Sequence, residues 1–147
     1  YERAGAVKDG ETEEERAARL DAAARLIDYM AEFMDQRLLP ERERARYALL
    51  MDELCGLLLR EDAERLTAGR FEAVCMELLR TGAYDRCRER CLQAYERHPN
   101  ALEPYACQLK LYYSTGEREQ FFRILEELRV SDIPIDSGTL ETFRVFL

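Results

Sequence analysis

Three cysteines in the second half of the chain have the spacing that most readily suggests chemistry. Cys87 and Cys91 are four residues apart in a stretch with helical periodicity, so their thiols share one helix face. Cys75 comes close to them if the repeat described below is present, and three thiols with His98 could then hold zinc. The alternative is that the thiols are small buried groups in a helix crossing. We favour that alternative because no C-x-x-C pair occurs, and we predict neither a metal nor another cofactor.

Two further patterns could belong to an enzyme. Cys91 and Arg97 enclose five residues, as in the phosphate loop of cysteine-dependent phosphatases, but the intervening LQAYE favours a helix and lacks glycine. His98 is the single histidine and follows a helix end, where we expect it to cap the helix at the surface. No spacing of carboxylates singles out a catalytic pair. We therefore predict that the chain is not an enzyme.

The composition indicates an all-α protein. Ala, Leu, Glu and Arg, all strong helix formers, make up more than half of the 147 residues. The formal charge is −8 and no basic block occurs, which disfavours direct nucleic-acid binding by this segment. The longest apolar stretch, residues 54–59, is far short of the roughly 20 residues that cross a bilayer. Five cysteines without scaffold-like spacing favour reduced thiols, so we expect a cytoplasmic protein that does not contact membranes.

The pattern along the chain predicts one helical domain after a flexible leader, residues 1–11. Residues 12–66 hold two helices: the first begins at a capping box, Thr12 to Glu15, and runs to about Arg37, and the second, taken as central, follows Pro40. Gly69 indicates a break between the second helix and the next one. Further helices are expected at about 70–80, 84–97, 101–114, 117–129 and 138–147, which makes seven.

The first helix should bury one apolar stripe. Its members recur at helical spacing, and three more apolar residues widen the stripe. The stripe consists of Leu20, Ala23, Ala24, Ile27, Met30, Ala31, Met34 and Leu38, widened by Leu26, Tyr29 and Phe33.

An internal period of 34 residues lies in the second half of the chain. This offset aligns Gly82 with Gly116, and it also pairs Phe71 with Tyr105, Leu78 with Tyr112 and Thr81 with Thr115. Thirty-four residues is the tetratricopeptide period, in which each unit is a helical hairpin with small residues where its helices cross. Residues 67–130 are therefore expected to form two such units, and the flanking helices, including the closing helix of 131–147, should cover the open ends of the pair.

The segment TGAYDRCRERCLQAYERHPNALEPYACQLKLYYSTGEREQFFRILEEL, followed by a proline-containing loop and a last helix, carries a family resemblance. It resembles the bacterial transcriptional activator domain of regulators similar to the Streptomyces antibiotic regulatory proteins, over residues 66–147. In that family the domain sits beside a winged-helix DNA-binding domain. The resemblance implies a regulatory domain whose DNA-binding neighbour lies outside this chain.

A partner-binding surface is the remaining candidate for a functional site. In a tetratricopeptide unit the first helix of each hairpin lines the binding face, and seven residues take the outward positions there: Glu72, Met76, Leu79, Arg80, Ala106, Lys110 and Tyr113. Met, Tyr and Arg are suitable interface anchors. The alternative is that an N-terminal helix fills this groove and makes Met76, Leu79 and Tyr113 part of the core.

These observations lead to three functional hypotheses. The first is a regulatory interaction or self-association domain of a bacterial transcriptional regulator. The second is a tetratricopeptide-type adaptor unrelated to transcription, and the third is a small-ligand sensor with a pocket between its helices. The sequence upstream of Tyr1 would discriminate the first two, since a winged-helix pattern supports the first and further repeats support the second.

Overall fold

The computed structural model describes residues 10–145, and this part of the chain is all-helical without a strand. The predicted flexible leader, residues 1–11, therefore lies almost entirely outside the described residues. Residues 10–145 form seven α-helices, as expected, with a 3₁₀ turn at Ala63–Arg65. They are α1 (Glu13–Gln36), α2 (Glu41–Glu61), α3 (Ala68–Arg80), α4 (Tyr84–Arg97), α5 (Leu102–Thr115), α6 (Arg118–Val130) and α7 (Ser137–Phe143).

The capping box at the start of α1 is confirmed. The Thr12 hydroxyl oxygen accepts from the Glu15 backbone N–H at 3.0 Å, and the Glu15 carboxylate accepts from the Thr12 N–H at 3.1 Å. The helix ends at Gln36, and α2 begins directly after Pro40, as the sequence predicts. Leu38 lies in the link between the two helices and is fully exposed, so its assignment to the buried stripe is wrong.

Three other details differ from the sequence-based expectations. Gly69 does not break a helix but lies in the first turn of α3, because Thr67 caps that helix two residues earlier. The last helix is shorter than predicted and ends at Phe143. On α1, Leu26 and Tyr29 point outward and are 40% and 69% exposed instead of widening the buried stripe.

The helices pack as three successive hairpins, α1 with α2, α3 with α4 and α5 with α6. The first helices of neighbouring hairpins also touch, so α3 contacts α1 and α5 as well as α2 and α4. The central helix is therefore α3 and not α2, which is the reverse of the prediction. At the far end, the ring of Phe143 on α7 packs on Phe121 of α6 with centroids 5.9 Å apart. The first hairpin therefore packs on one side of α3, and α7 contacts α6 at the other end of the array.

The 34-residue period reappears in the positions of the helices. Helix α5 begins 34 residues after α3, and α6 begins 34 residues after α4. Gly82 and Gly116 both adopt left-handed backbone conformations, with φ of 81° and 74°. Thr81 and Thr115 each donate a hydroxyl hydrogen bond to the carbonyl four residues earlier. The first hairpin does not share the period, because α1 and α2 are much longer helices.

Buried ion pairs tie the hairpins together. Asp52 of α2 is 2% exposed and accepts from both Arg86 and Arg90 of α4. Glu77 of α3 is 3% exposed and accepts from Arg44 of α2 at 3.0 Å. Removing Asp52 or Glu77 would leave Arg90 or Arg44, whose side chains are 14% and 15% exposed, without a carboxylate partner and would therefore destabilise the contact between the helices. No helix in residues 10–145 combines the length and the apolar character needed to cross a membrane.

Candidate partner-binding groove

A groove runs along the α3 and α5 side of the molecule and consists of two cavities that share Lys110. The polar end is a cavity of about 300 Å³ between α1, α3 and α5. The apolar end is a cavity of about 570 Å³ between α3, α5 and α7. We refer to both cavities together as the groove.

The polar end is formed mainly by one face of α3. Its lining residues on this helix follow i, i+3, i+4 spacing, so they occupy a single stripe. They are Gly69, Glu72, Ala73, Met76, Glu77 and Arg80, with Ala31 and Asp35 of α1 opposite and Lys110 of α5 at the side. Helix α1 therefore forms a wall of the groove and does not fill it.

The charged groups of the polar end differ in how far they are paired. Glu77 accepts from Arg44 at 3.0 Å and from Arg80 at 3.2 Å, so its charge is compensated. Arg80 also lies 3.9 Å from Asp35 across the groove. Glu72 and Lys110, in contrast, are both half-buried and make no hydrogen bond or ion pair with any described residue.

The environment of Glu72 disfavours its ionised form. Burial is the main cause and raises the pKa of its carboxyl group to about 7. Cys107, Glu103 and Asp136 contribute in the same direction, and only Lys110 opposes them. A carboxyl group in this state lacks the partner that would normally stabilise its charge.

The apolar end exposes several large side chains. Leu79 is half-buried, whereas Tyr113 is 66% exposed and Val145 of the turn after α7 is 91% exposed. Phe143 and Thr142 of α7 and Ser114 of α5 complete the lining with Lys110. This end is suited to an apolar side chain because little of its lining is polar.

The structure brings six of the seven residues expected at the partner-binding face into the groove. Glu72, Met76, Arg80 and Lys110 line the polar end, and Leu79 and Tyr113 line the apolar end with Lys110. Ala106 is the exception, because it is 3% exposed and is enclosed by neighbouring helices. The prediction that Ala106 lies on the outward face of α5 is therefore wrong, since its side chain is buried.

The sequence did not identify the residues that α1 and α7 contribute. Ala31 and Asp35 belong to α1, and the spacing of residues in the sequence does not show how that helix is oriented against α3. Phe143 and Val145 belong to a region without a repeat partner. The four-residue spacing of Ala31 and Asp35 was the one available signal, since it places both on one face of α1.

No protein-family model, curated protein or solved structure matches this chain. The groove must therefore be interpreted from its own residues.

Four of the cysteines form a buried cluster where α3, α4 and α5 meet. Cys75, Cys87 and Cys91 come together as expected, and Cys107 of α5 joins them. The Cys87 thiol lies 3.9 Å from the Cys91 sulfur and donates to the Cys75 carbonyl oxygen at 3.4 Å. No group of three or more His, Cys, Asp or Glu side chains in residues 10–145 has an arrangement that could hold a metal ion.

Hydrogen bonds within the cluster divide its thiols: they raise the pKa of Cys75 and Cys91 and lower the pKa of Cys87 and Cys107. Hydrogen bonding, first of all with Cys107, raises the pKa of Cys75 well above its ordinary value. Burial raises the pKa of Cys55, which lies outside the cluster, to about 12. These two thiols are therefore protonated at neutral pH, which makes them poor nucleophiles and poor metal ligands.

The other two candidate motifs also have structural explanations. Cys91 and Arg97 lie in the continuous helix α4, which offers no loop to enclose a phosphate. The expectation that His98 caps a helix at the surface is only partly correct, because its ring is half-buried. Its Nε2 atom lies 2.8 Å from the Leu66 carbonyl oxygen, and the ring packs edge-on against Phe71.

Proposed function

We propose that this chain is a regulatory, protein-binding domain of a bacterial transcriptional regulator, that it acts in the cytoplasm without catalysis, and that its DNA-binding domain lies outside these 147 residues. The groove is the observation that carries the proposal, because it joins an open apolar cavity to a polar cavity with unpaired charges. The 34-residue spacing of the helices supports a tetratricopeptide-type arrangement, which suits binding of a partner segment.

The proposal has two parts that need separate tests. The binding part requires that the groove itself takes a partner segment. Gly69 allows the groove to be closed selectively, since an added Cβ there approaches only the Thr67 hydroxyl oxygen, at 4.0 Å. A Gly69→Trp variant should therefore fill the polar end without disturbing the core. Glu89→Trp on α4, an exposed position outside the groove, is the matched control.

The experiment is a selection of phage-displayed random 12-residue peptides on the intact chain. We expect peptides enriched on the wild-type chain to bind the Glu89→Trp control and to lose binding to Gly69→Trp. Circular dichroism of both variants checks that each is folded. Enriched peptides that bind Gly69→Trp as well as the wild type, or no enrichment at all, would contradict a binding role of the groove.

The transcriptional part is tested by the coding sequence upstream of Tyr1. A winged-helix pattern in that sequence supports a transcriptional regulator. Further helical repeats without such a pattern would favour an adaptor unrelated to transcription.

A further inference from the structure

We propose that the groove recognises a peptide segment with a lysine or arginine side chain, which pairs with Glu72, and with an apolar side chain about three residues away, which enters the apolar end. This inference rests on the proposed binding function and specifies the chemistry of the partner.

The charges around the polar end favour a cation. Five carboxylates lie on or near this cavity: Asp35, Glu72, Glu77, Glu103 and Asp136. The cations are Arg44 and Arg80, which both bond to Glu77, and Lys110. Arg44 and Arg80 pair with Glu77, and Arg80 also lies 3.9 Å from Asp35, so Lys110 is the cation left for Glu72, Glu103 and Asp136. A positively charged side chain would complete this balance, whereas an acidic one would increase the repulsion.

Glu72 is the group best placed to receive that cation. It lines the polar end, it is half-buried, and no hydrogen bond or ion pair joins it to a described residue. A guanidinium or ammonium group at this position would form a charge-assisted hydrogen bond in a partly desolvated environment. Such a bond contributes more here than it would at an open surface.

The spacing of the two anchors follows from α3. Glu72 and Leu79 are seven residues apart on one helix, which corresponds to about 10 Å at 1.5 Å per residue. An extended peptide advances about 3.3 Å per residue, so three residues span the same distance. The partner motif is therefore a basic residue and an apolar residue separated by two others, in either chain direction.

Binding of the cation should release a proton from Glu72. In the free chain its carboxyl group has a pKa of about 7, and it faces Lys110, Glu103, Cys107 and Asp136. A cation beside the carboxylate lowers that pKa, so bound chain holds fewer protons than free chain. Affinity should therefore fall about tenfold for each pH unit below 7, until the pKa of the complex is reached.

The phage selection described above gives the first result. We expect the peptides that lose binding to Gly69→Trp to contain Lys or Arg three positions from an aliphatic or aromatic residue. Groove-dependent peptides without a basic residue, or with Asp or Glu in its place, overturn this inference and leave the proposed binding function intact. Absence of groove-dependent peptides overturns both.

Charge variants give the second result, with a synthetic, capped form of the most enriched peptide as the probe in a fluorescence-anisotropy titration. Glu72→Gln should weaken binding at pH 8 by at least about tenfold and abolish its pH dependence. Lys110→Met should instead strengthen binding, because it removes the like charge. Glu89→Gln, an exposed position on α4, should leave the affinity unchanged. Equal effects of Glu72→Gln and Glu89→Gln, or weaker binding by Lys110→Met, would overturn the inference.

Discussion

At the scale of single residues, the cysteines show how a small polarisable side chain serves a close helix crossing. Cys75 and Cys87 lie on α3 and α4, and both are completely buried. The contact of the Cys87 sulfur with the Cys75 carbonyl oxygen leaves no room for a larger side chain between the two helices. The small, polarisable sulfur that makes these residues candidate metal ligands also suits them to a close helix crossing.

Substitutions of Cys87 test this close packing. Cys87→Ala should lower the free energy of unfolding by only about 1 kcal/mol, since it removes one buried sulfur. Cys87→Leu should lower it by about 1–3 kcal/mol through overpacking. Urea denaturation followed by circular dichroism measures both values. If both variants were as stable as the wild type, Cys87 would not lie at a crossing.

Glu72 predicts a pH-dependent difference in stability. The folded chain raises the pKa of its carboxyl group from 4.5 to about 7, so ionisation of Glu72 opposes folding above pH 7. This penalty disappears as the pH falls from 7 towards 4.5, where the folded chain binds the proton more tightly than the unfolded chain. Glu72→Gln should therefore melt at a higher temperature than the wild type at pH 8.

The advantage of Glu72→Gln should shrink at pH 5, where Glu72 is protonated in the folded chain. Thermal melts of both proteins at the two pH values measure the difference. Glu89→Gln, an exposed substitution on α4, controls for the change in net charge. A constant difference between wild type and Glu72→Gln across this pH range would mean that burial does not perturb the Glu72 carboxyl group.

At the scale of elements, helix boundaries could be predicted where local chemistry determines them. Thr12 with Glu15 marked the start of α1, and Pro40 marked the start of α2, because caps and proline act within a few residues. Gly69 was misread because an isolated glycine also occurs inside helices. Ala106 was expected on the outward face but is buried, because neighbouring helices enclose α5. No local pattern in the sequence encodes that packing.

Three glycines give a test of the turns in the repeat. Gly82 and Gly116 have positive φ, and an added Cβ would meet no atom within 4 Å at either position. Gly82→Ala and Gly116→Ala should therefore each cost about 1–2 kcal/mol through backbone strain alone. Gly69→Ala should instead stabilise the chain by up to about 1 kcal/mol, because Gly69 lies in a helix.

Chemical denaturation of the three glycine variants measures these changes. Similar losses at Gly82 and Gly116 would agree with their equivalent positions in the two units. A loss at Gly69 as large as the other two would contradict the assignment of the strain to the left-handed turns.

At the scale of the whole molecule, the groove depends on packing between distant parts of the chain. The period of 34 residues allowed the α3 and α5 faces to be predicted, because equivalent positions recur in both units. Asp35 and Phe143 belong to helices outside that period, and their place at the groove depends on how α1 and α7 dock. Sequence patterning therefore predicted the middle of the site but not its two ends.

The charge distribution of the whole chain predicts weak interaction with DNA. The formal charge is −8, and arginines such as Arg44, Arg86 and Arg90 are already paired with carboxylates. We expect the 147-residue chain to show no sequence-specific duplex binding at physiological salt in a gel-shift titration. Any retention at low salt should disappear steeply as salt rises. Tight, sequence-selective binding would contradict the placement of DNA recognition in another domain.

The burial of every cysteine also determines how fast the protein oxidises during storage in air. All five thiols are enclosed in the folded chain, so oxygen and other oxidants meet them only in molecules that have opened. A disulfide formed in the opened chain between cysteines that are distant in the fold keeps its helices from docking until a reductant breaks it. Storage lifetime without a reductant is therefore set by how often the helices separate, and any additive that slows their separation would extend it.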